Sequence, residues 1–454
     1  MKKLVALLLA VMMLSAMALA EAPEGYPAVV EGIDFGGRTV TIYDWYWTGR
    51  NDEPTTEEED LYAYQDWIQE TYNVKVEQVG DAYDWAQSIN YLTDYVMNPD
   101  PTKLAIFTMP QDFIGPAIKN NLIAPLQDIV NLELEQWNKG TIEFMTQNGN
   151  VLGLWAGASE PRECIFFNTK LLKDAGVDPD SIYDMQANGT WTWDAFLDLL
   201  AKVQKDIDGD GVIDQYGATG AGDDLFVGAV ANNGAYFYKM DDGKLVSGLN
   251  SENMLEAFQF IRTVRDNYFD KAKTDAEGNT ENWDYFKQGF VQGRGVFRFG
   301  QTWEGFNGNC EMNNAEDFEW GCVAFPTGPK AEAGSYVSVV NDNILCIPAI
   351  YGEEDLKLLG FLLNTWWAPT PGYEDDTESW IGNKYDLTDD RAVEETYALM
   401  REAEHTVRDC YVFLGDKNTV LGPDLLWAID WNDPAALVET VAPIFDARAE
   451  DFNK

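Results

Sequence analysis

Between residues 206 and 214 the chain reads Asp-Ile-Asp-Gly-Asp-Gly-Val-Ile-Asp. Asp206, Asp208, Asp210 and Asp214 fall at positions 1, 3, 5 and 9 of a loop, and Gly211 at position 6 permits the sharp turn. Val212, at position 7, would offer its backbone carbonyl. An oxygen-only donor set at this spacing suits a structural calcium ion. The twelfth position, where an EF-hand places a bidentate glutamate, is Gly217, so a full cage needs a carboxylate from elsewhere in the chain. A plain Asp/Gly turn held by side-chain-to-backbone bonds is the alternative reading.

A second chemistry is written in aromatic side chains. Trp45 and Trp47 follow one apolar alternating run, Trp155 follows Val151 to Leu154, and Trp303 follows Val296 to Phe299. In a doubly wound sheet the carboxyl ends of strands face the ligand crevice. Flat rings flanked by carboxylates and amides suit a sugar, whose C–H face packs on the ring while its hydroxyls are hydrogen-bonded. The polar partners near these rings are Gln111, Asp112, Asp223, Asp224, Gln301 and Asn341. Trp193, Trp366 and Trp427 are expected to serve in core or helix packing instead.

Other chemistries are hard to build. The single histidine, His405, lies in a charged helical run, which removes His-rich zinc sites and any simple Ser-His-Asp or Cys-His mechanism. There is no phosphate-binding glycine loop, nucleophile elbow or HExxH, and Gly293-Arg294-Gly295 precedes a strand, the wrong context for a dinucleotide. Glu160 and Glu163 flank Arg162 and could be paired catalytic carboxylates or an ion-paired loop. Asn188-Gly189-Thr190 fits a glycosylation sequon, a three-residue pattern frequent by chance. Of the five cysteines, Cys310 and Cys322 are close enough in sequence to close a loop, while buried thiols in strands are an equal alternative.

The elements that must position these residues alternate in type. Thr39 to Tyr43, Val74 to Val76, Leu104 to Phe107 and Cys164 to Phe167 read as strands; runs from Glu57, from Trp85 to Met97 and from Asp355 to Trp367 read as helices. Thr192 is placed to cap a helix from Trp193 to Gln204. The alternation predicts an α/β protein with mainly parallel sheets flanked by helices. A chain of 454 residues, 46% apolar and 13% aromatic, can fill two cores. Lys2 and Lys3, the apolar run Leu4 to Met13 and Ala18-Leu19-Ala20 predict a signal peptide over 1–20, hence a secreted, periplasmic or extracellular protein. No cysteine stands at the cleavage point, so no lipid anchor is expected. With 31 Lys and Arg against 77 Asp and Glu, the formal charge of −46 repels phosphate backbones and anionic lipid, which excludes nucleic acid as partner.

The order of several short motifs resembles a known family. Gly153-Leu154-Trp155 is followed by Ile165-Phe166-Phe167-Asn168-Thr169-Lys170-Leu171-Leu172-Lys173-Asp174-Ala175-Gly176. Then come Thr192-Trp193-Asp194-Ala195-Phe196, the loop Asp206 to Gly217, Gly295-Val296-Phe297 with Trp303, and Phe325-Pro326-Thr327-Gly328-Pro329. Over essentially the whole mature chain this resembles the extracellular solute-binding proteins of ABC importers, in the family of maltose-binding protein. The resemblance implies the two-lobe periplasmic-binding-protein fold (type II), with hinged lobes of mixed, mainly parallel sheets closing on a sugar. By analogy the first lobe spans 21–160, the second 161–325, a return to the first 326–368, and a helical part mainly of the second 369–454. It implies a monomeric, non-catalytic carbohydrate-binding protein that delivers a mono- or oligosaccharide to ABC permease subunits, with the strand-end residues above as ligand contacts. The chain departs from the family in lacking its usual lysine-rich surface. A secreted glycoside hydrolase with an Asp/Glu pair in an aromatic cleft is the main alternative, and a calcium-dependent surface module a third.

Overall fold

Residues 22–80, 83–100, 102–270, 285–305, 312, 318–374 and 389–454 are described by a computed structural model. The expected signal peptide and Cys310 lie outside the described residues. Two compact units partition the chain, and neither is one continuous stretch. The first gathers described residues within 1–108, 122–137 and 345–376; the second gathers those within 109–121, 138–344 and 377–454. The partition differs from the expected boundaries: 109–121, 138–160 and 326–344 cluster with the second unit, and 369–374 with the first.

In the first unit, β1 (Thr39–Asp44) lies parallel to both β2 (Lys75–Val79) and β3 (Lys103–Pro110). Val40 and Ile42 of β1, and Leu104, Ala105, Ile106 and Phe107 of β3, are buried, as expected of strands covered on both faces. Helix α1 (Thr56–Thr71) starts at a capping box in which the Thr55 hydroxyl accepts from Glu58 N and the Glu58 carboxylate accepts from Thr55 N. Three glutamates in its first turn face the positive end of the helix dipole.

In the second unit, β4 (Glu163–Asn168), β5 (Tyr216–Gly220), β6 (Gly295–Gln301) and β7 (Trp320–Ala324) form a mixed sheet in the order β7–β4–β6–β5. β6 runs parallel to β5 and antiparallel to β4, and β4 is antiparallel to β7. A short parallel pair joins β8 (Ser338–Val339) to β10 (Thr406–Val407), while β9 (Asn343–Cys346) is the edge neighbour of β3 in the other sheet. Helix α2 (Trp193–Val203) begins where Thr192 Oγ1 accepts from Ala195 N, as its sequence predicts. Trp193 stacks on Phe260 at 4.2 Å, and Trp366 is also buried, both in the packing roles expected of them. Trp427 is a correction. It is 58% exposed, because it ends an irregular turn after Gly422–Leu426 rather than lying on a core-facing helix. Cys164, Cys322, Cys346 and Cys410 are buried free thiols, so the strand-core reading of Cys322 holds over the loop-closing one.

Candidate functional site

The residues that gather most densely do so at one end of the second unit's sheet. β6 ends at Gln301, directly opposite Glu163 at the start of antiparallel β4. Beside it β5 ends at Gly220, paired with Phe299. Gly220 has φ +118°, and a Cβ there would lie 2.2 Å from the Phe299 carbonyl oxygen, so the strand can end this tightly only at glycine. The chain then enters α3 (Gly222–Ala231), which presents Asp223 and Asp224 in its first turn. From the other direction, the short turn Thr302–Gly305 after β6 carries Trp303.

One amide orients the group. Gln301 Nε2 donates to Asp224 Oδ1 at 2.8 Å, while Gln301 Oε1 accepts from Trp303 Nε1 at 2.8 Å. The Trp303 ring is thereby held by its polar edge and remains 36% exposed. Beneath it the Gln301 backbone N donates to Glu304 Oε2, which also pairs with the buried Arg298 at 2.9 Å. Lys417 Nζ, at the start of the short helix Lys417–Val420, lies 2.6 Å from Asp223 Oδ2 and 3.8 Å from Asp224 Oδ1.

A second set continues this polar surface. Asn341 Nδ2 donates to Asp112 Oδ2 at 2.7 Å, Arg162 Nη2 donates to the Asn341 carbonyl at 2.9 Å, and Asp342 N donates to Gln111 Oε1 at 3.2 Å. Glu163 accepts from Val339 N at 3.0 Å.

The electrostatics bind the two sets together. Burial, reinforced by the neighbouring Asp223 charge, pushes the Asp224 carboxyl well above the usual range. Burial acts on Asp223 in the same sense, but the charge and hydrogen bond of Lys417, with the backbone N–H groups of the helix start, outweigh it and hold Asp223 low. Lys417 is raised although its burial opposes this, because Asp223 and Asp224 attract its proton. Asp112 and Glu163 are raised by burial, and both lie in the field of Lys417 and Arg162. Burial, with the fields of Asp112, Glu163 and Asp223 among others, raises the Tyr411 phenol. The result is a lattice of buried carboxylates and half-buried donors beside an open indole face. Such a lattice can exchange its internal hydrogen bonds for those of a polyhydroxylated ligand.

Gln111, Asp112, Asp223, Asp224, Gln301, Trp303 and Asn341, all expected from sequence, therefore share this region. Trp155 is half-buried, and its Nε1 donates to Ala158 O at 3.3 Å within its own loop. Trp45 and Trp47 belong to the other unit, where they follow β1 and are half-exposed. Sequence reasoning missed Lys417 and Tyr411, which no local motif marks, and left Glu163 undecided. It also missed Asp44, which ends β1 just before Trp45. Asp44 is 3% exposed, its Oδ2 accepts from Gln78 Nε2 at 2.8 Å, and burial pushes its carboxyl up to about 6. The available signal was a carboxylate closing the apolar alternation of Val40 and Ile42.

Two other features of the second unit lie outside the Gln301–Asp224–Lys417 group. A cavity of about 720 Å³ is lined by Asn138, Ala158, Ser159, Arg401 and Arg408 among others, and Arg408 links it to the second polar set by donating to Asp342 Oδ2 at 2.7 Å. In the Asp-rich loop, Asp206, Asp208 and Asp210 bring carboxylate oxygens within 4.8 Å of one another. Asp206 also accepts from Gly209 N and Gly211 N, Asp210 from Val212 N, and Asp214 from Ile207 N. An antiparallel bridge between Lys205 and Gln215 closes its base. The donor set is oxygen-only and exposed, which fits a hard cation and equally a hydrogen-bonded turn.

Comparison with known proteins gives a consistent architecture. A family model described as bacterial extracellular solute-binding protein matches residues 63–366. No curated protein matches the chain. Among solved structures, a cyclo/maltodextrin-binding protein complexed with maltotetraose is 15% identical, with 90% of this chain and 97% of that one covered at a TM-score of 0.59. UgpB from Mycobacterium tuberculosis in complex with glycerophosphocholine is 16% identical, with 91% and 99% covered and a TM-score of 0.58. An ABC transporter solute-binding protein from Thermotoga lettingae, bound with α-D-tagatose, is 15% identical, with 91% and 99% covered and a TM-score of 0.55. At these identities the likeness establishes the two-lobe periplasmic-binding-protein fold.

Proposed function

Because the chain belongs to the bacterial extracellular solute-binding proteins, we propose that it captures a carbohydrate and delivers it to the membrane subunits of an ABC importer. The observation that carries the carbohydrate reading is the exposed Trp303 ring, fixed by Gln301 against the Asp223–Asp224–Lys417 group. An indole face beside carboxylates, amides and an ammonium matches the alternating apolar and hydroxyl faces of a pyranose. Solved relatives of the same fold hold maltotetraose, tagatose, mannobiose and acarbose, which supports a sugar ligand. Aromatic stacking with a polar rim gives roughly micromolar affinity, about −8 kcal/mol. The protein acts outside the cytoplasmic membrane as a monomer, with residues 1–20 as its export signal. Among the described residues no helix is long and apolar enough to cross a membrane.

It acts as a binder, not a hydrolase. Asp223, Asp224, Asp112 and Glu163 are each engaged by a lysine, amide or backbone N–H. The partners of these four carboxylates support a binding role over cleavage of a glycosidic bond. A calorimetric screen of mono- and oligosaccharides tests this reading: saturable binding with the sugar recovered intact supports it, and hydrolysis of the sugar transfers the protein to the glycoside hydrolases.

The Asp206–Asp214 loop holds a structural calcium through Asp206, Asp208, Asp210, Asp214 and the Val212 carbonyl. Chelation of the purified protein should then lower its melting temperature by several degrees, restored by calcium and not by magnesium. An unchanged melting curve, with no calcium in elemental analysis, leaves the plain-turn reading.

A further inference from the structure

We propose that the only histidine of the chain, His405, forms with Glu402 and Glu404 a site for a borderline transition-metal dication, with zinc as its representative. The sequence Glu402-Ala403-Glu404-His405 folds into a tight turn, with Ala403–His405 in a 3₁₀-helix and His405 N donating to the Glu402 carbonyl at 2.9 Å. Glu402 is the extended residue that precedes this turn, and the turn brings its side chain to the same side as that of His405. One ligand atom from each of Glu402, Glu404 and His405 lies within 4.8 Å of the others.

The orientation of the imidazole separates this cluster from an ordinary acidic patch. His405 is 9% exposed, and its Nδ1 lies 2.6 Å from the Tyr336 carbonyl oxygen. A carbonyl only accepts, so Nδ1 carries the proton and the Nε2 lone pair is left for another partner. Nε2 points to the Glu404 side, 3.9 Å from Oε1, too far for a hydrogen bond. A backbone carbonyl that fixes the tautomer through the remote ring nitrogen is the usual support of a metal-binding histidine. The adjacent cation on this turn, Arg401, is engaged by Glu160 at 2.5 Å, which leaves the two glutamates to offset a dication.

One imidazole and two carboxylates favour zinc, nickel or copper over calcium and magnesium, with water completing the coordination. The site is thus chemically distinct from the oxygen-only Asp206–Asp214 loop, and does not depend on the carbohydrate reading. Thr406–Val407 follows immediately and pairs with Ser338–Val339, whose Val339 N holds Glu163. A metal here would stiffen the strand pair that supports the buried carboxylates.

A single histidine makes the test clean. In untagged mature protein, the one pair of imidazole C–H proton resonances should shift on titration with zinc chloride, saturate at one equivalent and stay unmoved by calcium chloride. Calorimetry should show one zinc site that is lost in His405→Gln. In Glu404→Gln, an exposed position whose replacement leaves folding intact, the site should be weakened by about tenfold or more. Zinc binding that is equal in His405→Gln and the parent, or imidazole resonances that do not respond to excess zinc, overturns the proposal.

Discussion

Replacing Lys417 with methionine is expected to destabilise the protein by about 3 kcal/mol at neutral pH and to abolish ligand binding. Lys417 is the cation against which Asp223 and Asp224 are folded, and Asp224 is only 4% exposed, so water hydrates its charge poorly. Removing one member of a buried pair leaves the other uncompensated, which costs far more than the pair itself contributes. The pH dependence distinguishes this cause from a packing defect. Without Lys417 both carboxyls titrate higher, so the folded state binds more protons than the unfolded chain over a wider range. Stability of the variant should therefore fall more steeply than that of the parent as pH rises above the ordinary carboxylate range, and the two should converge in acid. Adding Asp224→Asn should recover most of the loss. A deficit independent of pH, with no recovery in the double variant, means that the aliphatic stem of Lys417 matters and its charge does not.

Trp303→Ala should weaken carbohydrate affinity by about tenfold or more, roughly 1.4 kcal/mol, while leaving the melting temperature within a few degrees of the parent. The ring is 36% exposed, so its removal opens no deep cavity, and Gln301 remains fixed to Asp224 by its amide nitrogen. Trp303→Phe keeps an aromatic face but loses the Nε1–Gln301 hydrogen bond, and should fall between the two. Equal affinity in all three proteins removes Trp303 from the site, whereas a loss of folding in the alanine variant makes it a structural residue.

These expectations rest on parts of the molecule that were legible in sequence to different degrees. Strands with a strong apolar run were readable. Cys164 to Phe167 lies within β4, and Leu104 to Phe107 within β3, because burial on both faces leaves no polar position to blur the pattern. Thr192 was readable as a cap because its geometry is local. Val151 to Leu154 was over-read as a strand: Asn150–Val151 pairs as half of a short hairpin, and Leu154 makes a lone bridge.

The site follows the same division. Gln301 and Trp303 follow directly from strand-end position, whereas Asp223 and Asp224 read only as polar partners of the rings, and the helix Gly222–Ala231 that presents them is not marked in the sequence. Lys417 lies 193 residues beyond Asp224, in a segment with no strand or long helix. Its role depends on tertiary pairing that periodicity does not encode. Trp427 failed in the opposite sense, since an aromatic in an apolar stretch reads as core until the turn that exposes it is known. The overall charge of −46 excludes partners but identifies none; the placement of a few carboxylates around Lys417 carries more information than their total.

The most direct test of the central claim is titration calorimetry of the purified mature protein against a panel of mono- and oligosaccharides, with the sugar analysed afterwards. One saturable site per chain is expected for at least one carbohydrate, with near-micromolar affinity, at least about tenfold weaker binding in Trp303→Ala, and sugar recovered unchanged. Absence of binding to every carbohydrate, or a sugar returned hydrolysed, contradicts it.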